Sequence, residues 1–368
     1  MTTPLAEEIR TLIAAEGPMP VSRYMALALG HPRHGYYMTR DPLGAHGDFT
    51  TAPEISQMFG ELLGLWAVAS WQQMGAPDPF RLVELGPGRG TLMADALRAA
   101  RLVPGFGAAA RIHLVETSPV LTATQARTLA SQASAASWHQ RIEDVPDGPA
   151  LVLANEFFDA LPIDQYVRTA GHWHERRVGM DAGGRLAFGL DPAPSRAAQL
   201  LAGHLPPAPD GAVLEHMESG PARALAARLL AQGGAALIVD YGHAGGFGDT
   251  LQALEKHRFA DPLAAPGAAD LTAHVDFSAL ARIAVAAGLK AFGPLEQGDF
   301  LARLGLAARA ERLKRDAPEA TRAAVDAAAR RLAGTGDADM GRLFKVLVLA
   351  HPDLGAPPAF DLSEEFCP

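Results

Sequence analysis

The stretch that decides the fold is RLVELGPGRGTLMADALRAA, residues 81–100. A short apolar run leads into Gly86, Gly88 and Gly90, and a helix-like segment follows at once. Glycine lets the backbone approach a ligand closely, and a helix N-terminus offers unpaired N–H groups. Because position 91 is threonine, the dinucleotide spacing G-x-G-x-x-G is absent. We predict a loop whose amides face the carboxylate of a ligand with one amino-acid end, with Glu84 two residues before the first glycine and acceptors nearby for the ammonium group.

Outward from this stretch, short β-rich apolar runs alternate with helix-length segments, at 81–85, 111–116, 150–154, 235–240 and 343–350. Such a pattern indicates a mostly parallel sheet covered on both faces, an α/β fold. Residues 165–190 show short alternating strands around a turn, which predicts an antiparallel hairpin inserted between two sheet strands. We predict an N-terminal helical lid or extension (1–75), the first half of the sheet domain (76–164), an inserted hairpin and helical segment (165–215) and the second half (216–368).

Composition narrows the class of partner. The 368 residues include 32 basic and 41 acidic side chains, a net charge of −9, without a run of Lys or Arg. This charge argues against nucleic acid or an anionic membrane as the main partner and favours a cationic substrate. The single cysteine, Cys367, allows no intramolecular disulfide, and neither a signal peptide nor a spanning helix is evident. We therefore expect a cytoplasmic protein without membrane insertion, and nothing in the sequence sets its oligomeric state.

An acid at the end of the second predicted strand points to a nucleoside. Glu116 lies thirty residues after Gly86, where a carboxylate can accept both ribose hydroxyls. The glycine loop and this acid together fit S-adenosylmethionine, whereas the alternative is a glycine-rich turn with a surface acid. Asp144 lies where the third strand should end, a position suited to the adenine amino group, although an acidic turn before Pro146 is equally ordinary.

The fourth predicted strand is followed by polar and aromatic residues at the edge of the sheet where ligands bind. They are Asn155, Glu156, Phe157, Phe158 and Asp159. The asparagine can exchange hydrogen bonds with an amine, the phenylalanines can exclude water, and the acids can hold a cation. These groups suit the alignment of a nitrogen lone pair with a sulfonium methyl group. The segment also fits a helix start capped by Asn155 with acids in its first turn, and the two interpretations are compatible.

Further candidates lie on either side of this core. Thr51, together with Asp48, Thr50, Glu54 and Gln57, suits a lid over the cofactor, and the alternative is a helix start that Thr51 caps.

Asp240, Tyr241 and His243 follow the fifth strand, where the tyrosine or the histidine suits the substrate slot and a structural histidine is the alternative. The pairs at 31 and 34 and at 172 and 174 lack a third ligand, so we predict no metal.

Several segments, taken in order along the chain, resemble the MidA family of S-adenosylmethionine-dependent methyltransferases, which includes the mitochondrial complex I assembly factor with protein-arginine methyltransferase activity. They are GDFTTAPEISQMFGELLG (47–64), LVELGPGRGTL (82–92), ANEFFDALP (154–162), GGAALIVDYGH (233–243) and APGAADLTAHVDF (265–277). The resemblance covers essentially the whole chain. It implies a class I, Rossmann-like sheet of seven strands with an N-terminal helical extension and methyl transfer to arginine nitrogen. The family's glycine motif falls on Glu84, Gly86, Gly88 and Gly90, and its Asn-Glu-Phe-Phe-Asp motif on 155–159.

Three hypotheses follow. The leading one is a protein-arginine N-methyltransferase that acts by direct transfer, with Glu156 and Asp159 localising the guanidinium and a carboxylate or bound water taking its proton. Its partner would be a protein that carries the arginine, for example a respiratory complex I subunit. The others are a small-molecule methyltransferase and an assembly chaperone that binds the cofactor without turnover.

Overall fold

The structure is a computed structural model that describes residues 3–40, 51–103, 105–131, 136–255 and 258–367. Its helices are α1 (Pro4–Glu16), α2 (Val21–Gly30), α3 (Tyr36–Thr39), α4 (Ala52–Ile55), α5 (Gln57–Gln73), α6 (Thr91–Ala100), α7 (Phe106–Ala109), α8 (Pro119–Leu129), α9 (Arg196–Leu201), α10 (Gly220–Gln232), α11 (Phe277–Ala286), α12 (Gln297–Arg303), α13 (Leu306–Lys314) and α14 (Glu319–Ala333). Its strands are β1 (Met19–Pro20), β2 (Phe80–Leu85), β3 (Ala110–Val115), β4 (Ser137–His139), β5 (Ala150–Asn155), β6 (Ile163–Thr169), β7 (His172–Met180), β8 (Leu186–Pro194), β9 (Val213–Met217), β10 (Gly234–His243), β11 (Gln252–Glu255), β12 (Arg258–Ala260), β13 (Asp270–Thr272), β14 (Val275–Asp276), β15 (Lys290–Glu296) and β16 (Phe344–Ala350). Across these ranges, every helix is too short or too polar to cross a membrane.

A mixed sheet forms the centre of the molecule. Its strands follow the order β15-β16-β10-β5-β2-β3-β4, and the short β14 pairs with β10 outside this path. The pairs from β10 through β5, β2 and β3 to β4 are parallel, whereas β16 is antiparallel to both of its neighbours. The predicted α/β class is confirmed; seven strands lie along one path, and an eighth joins it at β10.

Alternate residues of the central strands face two different helix layers. Leu82 of β2, Leu151 of β5 and Leu237 of β10 pack on one face with side chains of α5 and α6. The residues that follow each of them point to the other face, towards α10 and α11. Each such apolar side chain contributes about 1.5–3 kcal/mol when it is buried. Burial on both faces explains why these strands are continuously apolar in the sequence.

Antiparallel strands build a second sheet beside the first. The hairpin predicted at 165–190 lies within β6, β7 and β8, and the sheet runs β1-β7-β6-β9 with β8 on β7. Since β1 comes from the N-terminal region, that region is tied to the insertion by strand pairing as well as by packing. A third sheet, β12-β11-β13, follows β10 and packs with α1 and α2 in one apolar cluster. Residues from three parts of the chain therefore meet above the carboxyl ends of the central strands.

Candidate active site

A cavity of about 710 Å³ lies at the carboxyl ends of β2, β3, β5 and β10. This is the edge where open α/β sheets bind ligands, and the size is typical of small-molecule sites. Eleven of the predicted site residues line it: Thr51, Glu54, Glu84, Gly86, Gly88, Glu116, Asn155, Glu156, Phe157, Asp159 and Tyr241. The structure thus brings together side chains that the sequence separates by almost two hundred positions.

The glycine loop adopts backbone angles that favour glycine. Gly86, Gly88 and Gly90 have φ of 61°, 54° and 80°, all in the left-handed region. A Cβ on Gly86 would lie 3.0 Å from Cδ2 of Phe157. Gly90 is the N-cap residue of α6 and does not itself line the cavity. The loop therefore turns the chain from β2 into α6 and brings backbone close to the cavity.

Glu84 supplies a buried acceptor beside the loop. It is 3% exposed, and its Oε2 atom has no hydrogen-bond partner among the described residues. Burial, followed by the charge of Glu116, holds the pKa of this carboxyl well above its usual range. A ligand ammonium group would supply both the missing donor and the compensating charge.

Glu116 is fixed by neighbours at the end of β3. Its Oε1 accepts the Ser118 N–H at 2.8 Å, and its Oε2 accepts the Gln125 amide at 2.9 Å. The same amide nitrogen donates to the Gly88 carbonyl at 2.8 Å. Gln125 is fully buried and receives a further bond from Trp138. Gln125 therefore connects Glu116, which we predict to bind the ribose, to the glycine loop. No local sequence pattern indicates this role.

Glu156 occupies a strained position directly after β5. Its φ is 51°, a value unusual for a residue with a side chain. Its Oε1 accepts the Ala52 N–H at 3.3 Å and the Asn155 side-chain amide at 3.1 Å. Burial and then the charge of Asp159 raise the pKa of Glu156 to about 8. The carboxyl group therefore joins the N-terminal region, through α4, to the centre of the cavity.

Asp159 is the more buried acid of the pair, at 6% exposed. Burial raises its pKa to about 6, although a hydrogen bond from Tyr241 works in the opposite direction. Its Oδ1 and the Oδ1 of Asn155 have no partner within the described chain. Asp240 holds the segment after β5 in place, because its Oδ2 accepts the N–H groups of Phe158 at 3.0 Å and of Asp159 at 3.2 Å. Two residues that line the cavity therefore each keep a buried oxygen without a protein donor among the described residues.

Two further cavity residues escape sequence reasoning. Tyr37 of α3 and Asp270 of β13 both line the cavity, and burial, followed by the charge of Asp270, holds the pKa of the tyrosine well above its usual range. Asp270 lies in one of the segments that carry the family resemblance, which is the one signal that could have found it. Tyr37 stands in an aromatic stretch without any chemical pattern.

Five predicted residues do not line the cavity, and Gln57, at the start of α5, is one of them. The third strand ends earlier than predicted, at His139, and Asp144 instead closes a 3-10 turn by accepting the Arg141 N–H at 3.2 Å. Phe158 is buried in the apolar layer that contains α10 and α11. His243 accepts the Gly245 N–H at 3.1 Å, and Gly90 caps the start of α6.

Two predictions concern features other than the cavity wall. Asp48 and Thr50 lie outside the described residues. Within the described ranges, no group of three His, Cys, Asp or Glu side chains is arranged to hold a metal ion.

Known proteins are similar to this chain along most of its length. Residues 62–295 match a family model of S-adenosyl-L-methionine-dependent methyltransferases. The mitochondrial protein arginine methyltransferase NDUFAF7 homolog of Drosophila melanogaster is 41% identical over 94% of this chain and 84% of that protein. The human mitochondrial protein arginine methyltransferase NDUFAF7 is 38% identical over 83% of this chain and 74% of that protein.

A solved structure extends the similarity to three dimensions. A COG1565 superfamily member from Burkholderia thailandensis, bound to S-adenosyl-homocysteine, has a TM-score of 0.85 and 30% identity and covers 98% of this chain and 95% of that chain. The comparisons also correct one expectation. The predicted cytoplasmic location is wrong, because the curated relatives are named as mitochondrial proteins.

Proposed function

We infer that this chain, which belongs to the family of S-adenosyl-L-methionine-dependent methyltransferases, transfers the methyl group to a guanidinium nitrogen of an arginine in a protein. The observation that carries the proposal is the pair of acids at the end of β5, Glu156 and Asp159, in a cavity that adjoins the glycine loop. Carboxylates in this place suit a cationic acceptor. The names of the curated relatives, which are protein arginine methyltransferases, support the same substrate class.

The residues of the cavity fit the amino-acid end and the ribose of the cofactor. The unpartnered Oε2 of Glu84 suits the ammonium group, and the backbone amides around Gly86 and Gly88 suit the carboxylate. Glu116 keeps lone pairs for the ribose hydroxyls while Ser118 and Gln125 hold its orientation. When bound, S-adenosylmethionine supplies an electrophilic methyl group on a sulfonium sulfur.

The acids act on the acceptor nitrogen. A protonated guanidinium has no available lone pair, so the nitrogen must lose a proton as its bond to carbon forms. We propose that the Oδ1 atom of Asp159 accepts this proton. The atom is buried and has no donor within the described chain. Glu156 and Asn155 orient the planar group, and Phe157 and Tyr241 separate it from water. Because these groups are fixed before the substrate arrives, alignment supplies much of the catalysis.

The proposal includes the finer predictions on architecture and partner. The strand path with β16 antiparallel between β10 and β15 supports a class I, seven-strand assignment. We place the methyltransferase domain in 76–164 and 216–368, with 165–215 as its insertion and 1–75 as its extension. A respiratory complex I subunit stays the predicted protein partner.

The test is to incubate the protein with cofactor labelled in the methyl group and a cell extract, and then to locate the label by mass spectrometry. We expect label on an arginine side chain of one or a few proteins, with Asp159→Asn as the matched control that retains the cofactor loop. Label in the small-molecule fraction would support the small-molecule alternative. Cofactor binding without any transfer would support the assembly chaperone.

A further inference from the structure

A fully buried glutamine lies behind the wall of the cavity. Gln125 is on the inward face of α8, one helical turn from Leu121 and from Leu129, which are buried as well. Gln125 is 0% exposed and does not itself line the cavity. An amide in such an apolar stripe is costly to bury unless its polar atoms are paired. The hydrogen bonds of this amide therefore account for its position.

Both N–H donors of the Gln125 amide are used on parts of the cavity wall. Its Nε2 donates to the Gly88 carbonyl at 2.8 Å and to Oε2 of Glu116 at 2.9 Å. Gly88 and Glu116 both line the cavity. An amide nitrogen has two N–H donors, so each of these acceptors takes one. The side chain thus joins the glycine loop directly to the acid that follows β3.

Trp138 fixes the direction in which this amide points. Its Nε1 donates to Oε1 of Gln125 at 2.9 Å. An indole nitrogen can only donate, so the amide oxygen must face Trp138 and the amide nitrogen must face Glu116. The backbone of α8 is also close to the loop, because a Cβ on Gly90 would lie 3.4 Å from Cα of Gln125. Packing and hydrogen bonds therefore hold the amide in one orientation.

The bond from Gln125 removes a freedom that Glu116 would otherwise keep. The Ser118 N–H donates to Oε1 of the glutamate at 2.8 Å, which restrains one oxygen. The last torsion of a glutamate side chain is broad, so a carboxylate that is held at one oxygen can still rotate. The second bond, to Oε2, sets the plane of the carboxylate. Each oxygen keeps a further acceptor site, so the group can accept one ribose hydroxyl at each oxygen.

We propose that Gln125 is a positioning residue for the cofactor, which aligns the Glu116 carboxylate with the two ribose hydroxyls and joins that acid to the glycine loop. Part of the preference for a ribose with both hydroxyls then depends on a residue that does not touch the cofactor. The inference deepens the proposed function and rests on it, because it takes Glu116 as the acid that binds the ribose.

The experiment measures by calorimetry how the full-length protein binds S-adenosyl-homocysteine and the same compound without its two ribose hydroxyls. The ratio of the two dissociation constants is the ribose preference. The variants are Gln125→Met, which keeps a similar shape without the two donors, and Trp138→Phe, which removes the N–H that orients the amide. Gln297→Met is the matched control, since Gln297 is equally buried and its amide donates to the Leu332 carbonyl at 2.7 Å, away from the cavity.

We expect Gln125→Met to lower the ribose preference about tenfold. The ligand with hydroxyls loses an aligned, charged acceptor, whereas the ligand without them never used it. Trp138→Phe should lower the preference less, since both donors of Gln125 are still present. Gln297→Met should keep the wild-type preference, whatever its effect on stability. In a Glu116→Ala background, Gln125→Met should have no further effect on the preference, because it acts through that acid.

Three outcomes would overturn the inference. An unchanged preference in Gln125→Met would show that the amide does not position the acid. Equal weakening of both ligands would indicate a purely structural role, and a further loss of preference in the Glu116→Ala background would show that Gln125 acts by another route. If Gln125→Met does not fold, Trp138→Phe decides, and an unchanged ratio there has the same meaning.

Failure of the proposed function gives a different result. A wild-type protein without any ribose preference would refute the ribose role of Glu116 itself, and this inference with it. Transfer to arginine is tested separately, because this binding assay contains no methyl acceptor.

Discussion

Glu156→Gln should stabilise the cofactor-free protein at neutral and alkaline pH. Burial and the charge of Asp159 raise the pKa of Glu156 to about 8. Glutamine keeps the oxygen that accepts the Ala52 N–H at 3.3 Å and the Asn155 amide at 3.1 Å. The substitution therefore deletes an unfavourable charge while it preserves the local hydrogen bonds.

The size and sign of the effect follow from proton linkage. The ordinary pKa of the side chain is 4.5, so between pH 4.5 and about 8 the native state holds a proton that the unfolded chain has released. Stability of the wild type therefore falls as pH rises through this window, by at most about 1.4 kcal/mol per pH unit. The upper bound at pH 8 is about 5 kcal/mol, and partial exposure of the side chain reduces our expectation to about 2 kcal/mol.

The assay is urea unfolding of both proteins without cofactor at pH 5, 6.5 and 8. The difference in the free energy of unfolding should be near zero at about pH 5 and should grow in favour of the variant up to about pH 8. Glu7→Gln, at an exposed position in the first turn of α1, is the control and should show no such growth. A difference that does not depend on pH, or a variant less stable than wild type at pH 8, would refute the reasoning.

Four further predictions concern binding and catalysis. Glu156→Gln should lower single-turnover methyl transfer about 100-fold while the cofactor's dissociation constant stays within about twofold; full activity would place the substrate elsewhere. Glu116→Ala removes two charge-assisted acceptors and should weaken cofactor binding at least about tenfold by calorimetry, whereas an unchanged constant would mean that this acid does not contact the ribose. Gly88→Val places a β-branched residue at φ 54° and should abolish cofactor binding in a protein whose circular dichroism is unchanged; wild-type affinity would contradict the assigned loop. The transfer rate should also rise as pH passes through about 6, where Asp159 ionises, and Asp159→Asn should remove this dependence.

The sequence predicts the parts of the site that depend on local order along the chain. The run from β2 through Gly86, Gly88 and Gly90 into α6 is contiguous, so its glycines and its helix start appear together in the sequence. Glu116 and Asn155 lie at strand ends, and parallel strands bring such ends to one edge of the sheet. Periodicity and topology are therefore sufficient to place them.

Residues that reach the site through packing escape this reasoning. Gln125 lies within α8 and Tyr37 within α3, and neither is at a strand end. Asp270 belongs to a third sheet whose position depends on pairing with β11, which no short-range pattern specifies. The strand end predicted at Asp144 is displaced for the opposite reason, since the local pattern suggests a strand there, whereas β4 stops at His139 and a turn follows.

The position of β16 determines when during synthesis the active site can form. This strand leaves the ribosome after every other strand of the central sheet, yet it lies in the interior between β10 and β15. A nascent chain that has not reached residue 344 exposes an unpaired edge of β10, the strand that carries Asp240 and Tyr241. Such edges are templates for aggregation. A premature stop codon before this strand should therefore yield an insoluble product, and a ribosome-bound chain of that length should require chaperone protection before it can bind its cofactor.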